Sequence, residues 1–153
     1  MKWFTVVAMT VLGGQGCAAL ALNGTYQPRT AALAEADPAT LYEAVEHHAR
    51  AENWQVVRAD PAHGTLEALT GEQNDGEFAQ RERWLFTVRG GAVQVRMIYE
   101  VRFAPGQDWT STDEICDGYT YAREDGQLRA VSVYARSLLA RRDSLETHRF
   151  AAR

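Results

Sequence analysis

One long hairpin pattern constrains the fold of this chain more than any other feature. Apolar and polar residues alternate from Arg83 to Arg89 and again from Val93 to Phe103, with Gly90-Gly91 between the two runs. Successive side chains of a strand point to opposite faces of a sheet, so this period of two predicts an antiparallel strand pair with one buried side. On that side we expect Trp84, Phe86, Val88, Val93, Val95, Met97, Tyr99, Val101 and Phe103.

A helix and a second hairpin precede this pattern. Asp37 is a favourable N-cap and Pro38 suits the first helical position, which predicts a helix that stops near Asn53. Residues 55–59 and 65–70 have strand character and are joined by the turn residues Asp-Pro-Ala-His-Gly. The glycine-flanked stretch 71–76 and the stretch 105–113 are predicted loops.

The last predicted element is a second helix. It begins near residues 124–126 and has apolar residues at helical spacing as far as Leu145. The stretch Ala130–Tyr134 also has strand propensity, so a strand is the alternative there. Residues 116–123 are expected to add a short fifth strand, with Tyr119 and Tyr121 on one side.

These elements predict an α+β fold. An antiparallel sheet of four or five strands, built from two hairpins, is packed on one face by an N-terminal and a C-terminal helix. We expect a signal peptide over residues 1–16, a lipidated cysteine with a tether over 17–36, and a single domain over 37–153. The composition, 46% hydrophobic and 24% charged, is that of a folded protein, and the net charge of −4 argues against a nucleic-acid partner.

The chain opens with a segment that indicates export. A basic residue is followed by an apolar run over residues 3–12 and then by small residues, which is the order of a secretory signal. The run is too short to span a bilayer, which needs about 20 residues. One alternative is a buried N-terminal helix or strand of a cytosolic domain.

Two cleavage sites are open for this segment. The stretch up to Cys17 resembles a bacterial lipoprotein signal, because Gly16 precedes the cysteine, although Gly14 stands where leucine is usual. The resemblance implies that Cys17 is lipidated. Some lipoproteins are retained at the inner membrane by an aspartate after the cysteine. Cys17 is followed by Ala18 instead, so the resemblance also implies anchoring at the outer membrane. The rival is cleavage after Ala19-Leu20-Ala21 and plain secretion. Either way Cys116 is the one thiol that remains, so no internal disulfide is expected.

A second resemblance covers the first helix and hairpin. The string AVEHHARAENWQVVRADPAHGTLEAL, residues 44–69, has the order helix, strand, turn and strand. It is similar to the helix-grip domains of accessory lipoproteins in bacterial envelope assembly complexes. That likeness implies an accessory or scaffold role without catalysis, and it transfers no functional residue.

Few residues have a pattern that suggests chemistry. His47 and His48 are adjacent on the predicted helix and diverge by about 100°, so they do not form a two-histidine metal pair. We expect them, with His63 and His148, to be exposed. Cys116 is surrounded by carboxylates, which disfavour a thiolate. We therefore predict no catalytic residue, no metal site and no cofactor.

Aromatic and arginine side chains are better candidates for contact with a partner. Trp109 sits in a predicted loop, whereas Trp54 and Trp84 fit apolar stripes. The solvent-facing side of the long hairpin has an arginine ladder. Such a ladder meets an anionic partner, or it is solvated or paired with carboxylates such as Glu67 and Glu100. The ladder consists of Arg83, Arg89, Arg96 and Arg102. We select Trp109, Arg96 and Arg102 as the partner-contact residues.

Three functions follow from these observations. The first is a non-enzymatic envelope lipoprotein that binds another envelope protein. The second is an exported module that encloses an apolar ligand against the aromatic side of the sheet. The third is a hydrolase that uses His47 or His63 with a nearby carboxylate.

Overall fold

The structure, a computed structural model, describes residues 27–74, 76–112 and 118–151. Within these ranges the chain forms an α+β fold of two helices and one antiparallel sheet with seven strands. The helices are α1 (Pro38–Ala51) and α2 (Gly118–Ala151). The strands are β1 (Arg29–Ala32), β2 (Gln55–Asp60), β3 (Thr65–Leu69), β4 (Gln73–Asn74), β5 (Ala79–Arg89), β6 (Ala92–Arg102) and β7 (Thr110–Thr112).

The sheet is centred on the long hairpin, and this confirms the predicted α+β architecture. The main strand order is β1, β6, β5, β3 and β2. In the hairpin register Trp84 lies opposite Met97 and Phe86 lies opposite Val95. The number of strands is larger than the four or five expected because β1, β4 and β7 are short pieces. β1 and β7 pair with two successive parts of β6, and β4 pairs with the start of β5.

Both helices pack on one face of the sheet and enclose the core. Trp84 and Phe86 of β5 are almost completely buried there, and the ring of Trp54 stacks on that of Trp84 at 5.3 Å. Leu41 and Val45 of α1 are fully buried and belong to the same core. The core also includes Val131 and Ala135 of α2. We call this side the helix face and the opposite side the open face.

The helices cover less of the sheet than the hairpin pattern predicts. Val93, Val95 and Met97 are buried on the helix face, but Tyr99 and Val101 are half-buried and Phe103 is 66% exposed. Phe103 instead lies 6.4 Å from the ring of Phe78 at the far end of the hairpin. The expected burial of this side was therefore wrong beyond Met97, and Phe103 follows the end of β6 at Arg102.

Helix α1 begins where the sequence predicts. The carboxylate of Asp37 accepts hydrogen bonds from the backbone N–H and the hydroxyl of Thr40, both at 2.8 Å. These hydrogen bonds lower the pKa of Asp37. From α2, the Arg142 guanidinium donates to the Thr40 hydroxyl at 2.6 Å and lies 3.3 Å from the Asp37 carboxylate. The N-terminus of α1 is therefore capped by its own chain segment and clamped by the second helix.

Part of the expected tether is folded. Residues 29–32 form β1, and Leu33 and Ala36 are buried beneath it. The Leu33 N–H donates to the carbonyl of Gly91 at 2.8 Å, which fixes the segment to the turn of the long hairpin. The folded domain thus includes residues 29–36, because they complete the edge of β6 and fill the core beside it. The rest of the predicted signal and tether up to residue 26 lies outside the described residues.

The C-terminal helix is longer than expected and replaces the predicted fifth strand. Residues 118–123 are helical, while residues 113–117, including Cys116, lie outside the description. The strand alternative for 130–134 was also wrong. The helix start escaped sequence analysis because polar Thr120 and Glu124 occupy buried positions one turn apart, ahead of Leu128. No helix in the described part of the chain is both long and apolar enough to cross a membrane.

The β2–β3 turn approaches the long hairpin at a glycine. Gly64 has a φ of +66°, and its carbonyl accepts a hydrogen bond from the Val88 N–H at 2.7 Å. A Cβ atom at this position would lie 2.3 Å from the Val88 carbonyl oxygen. Glycine is therefore required both by the backbone conformation and by the close contact.

Candidate functional site on the open face of the sheet

Polar side chains of β3, β5 and β6 meet on the open face. Because strands have a period of two, residues between the core positions point to this side. Arg81 lies opposite Glu100 in the hairpin register, and Glu67 of the neighbouring strand lies opposite Leu85. We define the open-face cluster as Glu67, Arg81, Arg83, Glu100, Arg102 and Trp109.

Glu100 is the centre of this cluster and is only 2% exposed. Its Oε2 accepts a hydrogen bond from Arg81 Nε at 2.6 Å, and its Oε1 accepts one from Arg83 Nε at 2.8 Å. Arg83 also donates to the carboxylate of Glu67. Burial by itself would lower the pKa of Arg83, but the hydrogen bonds and charges of Glu100 and Glu67 raise it. The guanidinium groups are thus held in fixed orientations.

Trp109 covers the far side of the cluster. The Arg81 guanidinium carbon lies 4.0 Å from the centre of the indole ring, and that of Arg102 lies 4.8 Å from it. Both distances fit cation–π contacts. Arg102 also donates to Glu72 at 2.6 Å, while its buried Nε has no hydrogen-bond partner in the described part of the chain.

The predicted contact residues are only partly brought together. Trp109 and Arg102 belong to the same cluster, and Trp109 is half-buried by its arginine neighbours. Arg96 lies on the same face, opposite Leu85, but nearer the hairpin turn. Cys17 lies outside the described residues. Of the alternatives for the arginine ladder, pairing with Glu67 and Glu100 holds for Arg83.

Arg81 is absent from the predicted contact residues, and Glu100 is buried although its place in the alternation predicts a solvent-facing side chain. Arg81 was left out because strand β5 begins at Ala79, before the clear alternation around Trp84. Glu100 was assigned to a solvent-facing side, and it is buried because two arginines surround it. The cross-strand period places both residues on the same face, which is the signal that could have identified them.

A shallow depression of about 600 Å³ lies beside the cluster. The charged groups of Glu67, Arg81 and Arg83 line it together with the indole of Trp109. The remaining lining side chains are Leu85, Ile98, Glu100, Asp108 and Ser111. An open surface with fixed polar groups and one aromatic ring suits contact with another macromolecule better than the enclosure of a small substrate.

The histidines do not form a common site. His48 is buried, contrary to expectation, because it hydrogen-bonds Gln127 of α2 and meets the edge of the Trp54 ring at 5.4 Å. His47 stacks on the ring of Tyr134 at 3.7 Å. His63 is exposed and lies 2.8 Å from the carboxylate of Asp60. In the part of the chain that the structure describes, three or more metal-binding side chains nowhere converge.

A groove of about 820 Å³ lies between the start of α1 and the β2–β3 turn. Pro38 and Tyr42 line it on the helix side, and Pro61 and Val88 line it on the sheet side. The Tyr42 hydroxyl donates to the Thr65 carbonyl at 3.3 Å, and burial together with the charge of Glu46 raises the pKa of Tyr42. The groove is open to solvent and contains no buried charged group that would anchor a ligand.

No protein-family model and no curated protein matches this sequence. Among solved structures, the chain is similar to the crystal structure of a DUF4468 family protein from Bacteroides ovatus ATCC 8483. The TM-score is 0.44 at 12% sequence identity, and the match covers 71% of this chain and 84% of the other.

Proposed function

We propose that this chain is a non-enzymatic, lipid-anchored accessory protein of the bacterial cell envelope that binds another envelope protein through the open-face cluster. The proposal combines two supports. The amino-acid sequence before the folded domain has the order of an export signal that ends at Cys17. The folded domain has a sheet face that neither helix covers, and the cluster lies on it.

The open-face cluster is the observation on which the binding role depends. Tryptophan and arginine are the residues most enriched where protein interfaces contribute most of their binding energy. Here Arg81 and Arg102 both contact the indole of Trp109, and Arg81 is also hydrogen-bonded to the buried Glu100. Because Glu100 and Trp109 already hold these side chains in place, a partner loses less side-chain entropy on binding.

The proposed anchor leaves the domain free to reach a partner. The twelve residues from Cys17 to Pro28 span at most about 40 Å when fully extended. Acylation by more than one chain holds a protein stably at a membrane, whereas a single chain is marginal. Because Ala18 follows the cysteine, we favour the outer membrane over the inner membrane as the site of anchoring.

Photo-crosslinking in intact cells tests the binding face. A photoreactive amino acid replaces Trp109 in one variant and Val133, which is 67% exposed on α2, in a control. We expect the Trp109 position to give a discrete adduct with one envelope protein and the Val133 position to give none. Arg102→Ala should reduce capture of that protein from solubilised membranes, with Val133→Ala as its control. Equal adducts at both positions, or undiminished capture by Arg102→Ala, would refute the proposed face.

A second candidate function is the binding of an apolar ligand in the groove beside Tyr42. The volume of the groove and its proline, valine and tyrosine lining favour this reading. A ligand enclosed between sheet and helices, as the sequence suggested, would have to displace Trp84 and Phe86 from the core. Native mass spectrometry of the membrane-extracted protein separates the two functions, since a stoichiometric lipid adduct supports ligand binding.

A further inference from the structure

Strand β2 forms an open edge of the sheet. It is the last strand in the sheet order, and no described residue pairs with its outer side. Residues 55–59 are exposed, including Val56 and Val57 at 36% and 43%. An exposed edge of this kind offers unpaired backbone N–H and C=O groups to another strand. At the other edge, β1 and β7 cover β6, and α2 packs against β1.

Two opposite charges flank Ala59 on this edge. In the β2–β3 register Arg58 lies opposite Glu67 and Asp60 lies opposite Thr65. Both charged side chains therefore lie on the open face, while Ala59 lies between them on the helix face. Arg58 is exposed and makes no hydrogen bond or ion pair with any described residue. The Asp60 carboxylate accepts from the His63 backbone at 3.2 Å and contacts its ring, which holds it at the edge.

We propose that two copies of this chain associate by antiparallel pairing of their β2 strands about Ala59. This register places Arg58 of each copy opposite Asp60 of the other, so one two-fold axis satisfies both charges. A shift that centres the pairing on Arg58 or on Asp60 would place like charges opposite each other. Over residues 58–60, where the pairing of β2 with β3 is regular, the charges therefore select Ala59 as the centre over Arg58 and Asp60.

The local backbone agrees with a short and specific contact. The pairing of β2 with β3 is regular over residues 58–60, whereas a bulge at Val57 and the proline at 61 interrupt the edge on either side. Ala59 has the smallest side chain of the regular stretch, which allows the two backbones to approach at the axis. In this register the exposed Val56 and Val57 of one copy face the Pro61–Ala62 end of the other.

Cysteine crosslinking in the full-length chain tests this register. In all variants Cys116 is replaced by serine, so that a new thiol is read without interference. We expect Ala59→Cys to form an intermolecular disulfide on oxidation, because the Cα atoms of directly opposed residues in antiparallel strands lie about 4.5–5.5 Å apart, within the range that a disulfide spans. Gln55→Cys, on the same exposed strand but displaced from the axis, should give at least about tenfold less dimer on a non-reducing gel.

Charge reversal distinguishes this pairing from other contacts. In the Ala59→Cys background, Arg58→Asp or Asp60→Arg alone creates like-charge pairs and should lower the dimer yield about tenfold or more. The double reversal restores opposite charges and should recover the yield. Arg129→Asp, an equal charge change on an exposed residue of α2, a helix without contacts to β2 in the described residues, should leave it unchanged.

Several outcomes would overturn the proposal. They are the absence of an Ala59→Cys dimer, equal dimer from Gln55→Cys, a crosslink to a different protein instead, or a double reversal that melts like the parent but does not dimerise. Light scattering of the unmodified full chain in detergent measures its mass in solution. A monomer mass at the highest soluble concentration would contradict the pairing. The proposal is independent of the open-face partner, since Arg102→Ala should leave the dimer intact.

Discussion

Neutralising Glu100 should destabilise the domain far more than neutralising an exposed glutamate. Removal of one partner from a buried ion pair costs about 3–5 kcal/mol, because the remaining charge stays desolvated. Arg81 and Arg83 are still 19% and 30% exposed, and Arg83 keeps its contact with Glu67. We therefore expect Glu100→Gln to lower the free energy of unfolding by about 2 kcal/mol and Tm by roughly 5–10 °C.

Urea denaturation followed by tryptophan fluorescence measures this change. The control is Glu72→Gln, which removes the carboxylate that pairs with Arg102 but is 38% exposed. A surface pair of that kind contributes about 0–1 kcal/mol. An unchanged denaturant slope would show that both variants unfold as the parent does. If Glu100→Gln costs no more than Glu72→Gln, the account of Glu100 as the buried centre of the cluster is refuted.

Three further predictions concern the turn, the helix cap and the anchor. Gly64→Ala should lower the free energy of unfolding by about 3 kcal/mol because a Cβ atom there would meet the Val88 backbone. Gly90→Ala, at a residue with a positive φ but open space around it, should lower it by about 1 kcal/mol. Equal losses in urea denaturation would contradict the role of the contact. Asp37→Ala should lower Tm at neutral pH. Because the pKa of this carboxylate is lowered on folding, its contribution is full above its usual pKa near 3.8 and is lost as the pH falls through the folded value, so the two proteins should melt alike in strong acid. The intact mass of membrane-extracted protein should correspond to an acylated chain that begins at Cys17 and should change in Cys17→Ala, whereas a chain that begins at Leu22 would indicate plain secretion.

Local sequence signals were sufficient for the elements whose stabilising contacts are local. The alternation around Trp84 and Val95 reports directly which side of the hairpin meets the core, and this was read correctly. The start of α1 was also predictable, since Asp37 caps the helix through Thr40 only three residues away. In both cases the residues that determine the structure are close in the chain.

The candidate site depends on contacts that are distant in the chain. Glu100 is polar and lies on the predicted wet side, and only its pairing with Arg81 and Arg83, 19 and 17 residues away, encloses it. His48 likewise depends on Gln127, 79 residues further along. With four residues, β1 is too short to show a detectable alternation. Its position is determined by its pairing with the edge of β6. Local periodicity can place a residue on one face of a strand or helix, but it does not encode which distant residue the side chain contacts.

The position of β1 also determines how the domain would respond to mechanical force. Any tension transmitted through the chain before Arg29 reaches the fold first at the pairing of β1 with β6, from Arg29 opposite Val95 to Ala32 opposite Ala92. Because the hydrogen bonds of antiparallel strands are perpendicular to the strand axis, a pull along β1 loads them together and not one after another. Leu33 and Ala36, buried just behind the strand, would have to leave the core before the pull reached α1. If the domain were held at a membrane through its N-terminal side, a pull along β1 would thus be resisted by all the hydrogen bonds between β1 and β6 at once.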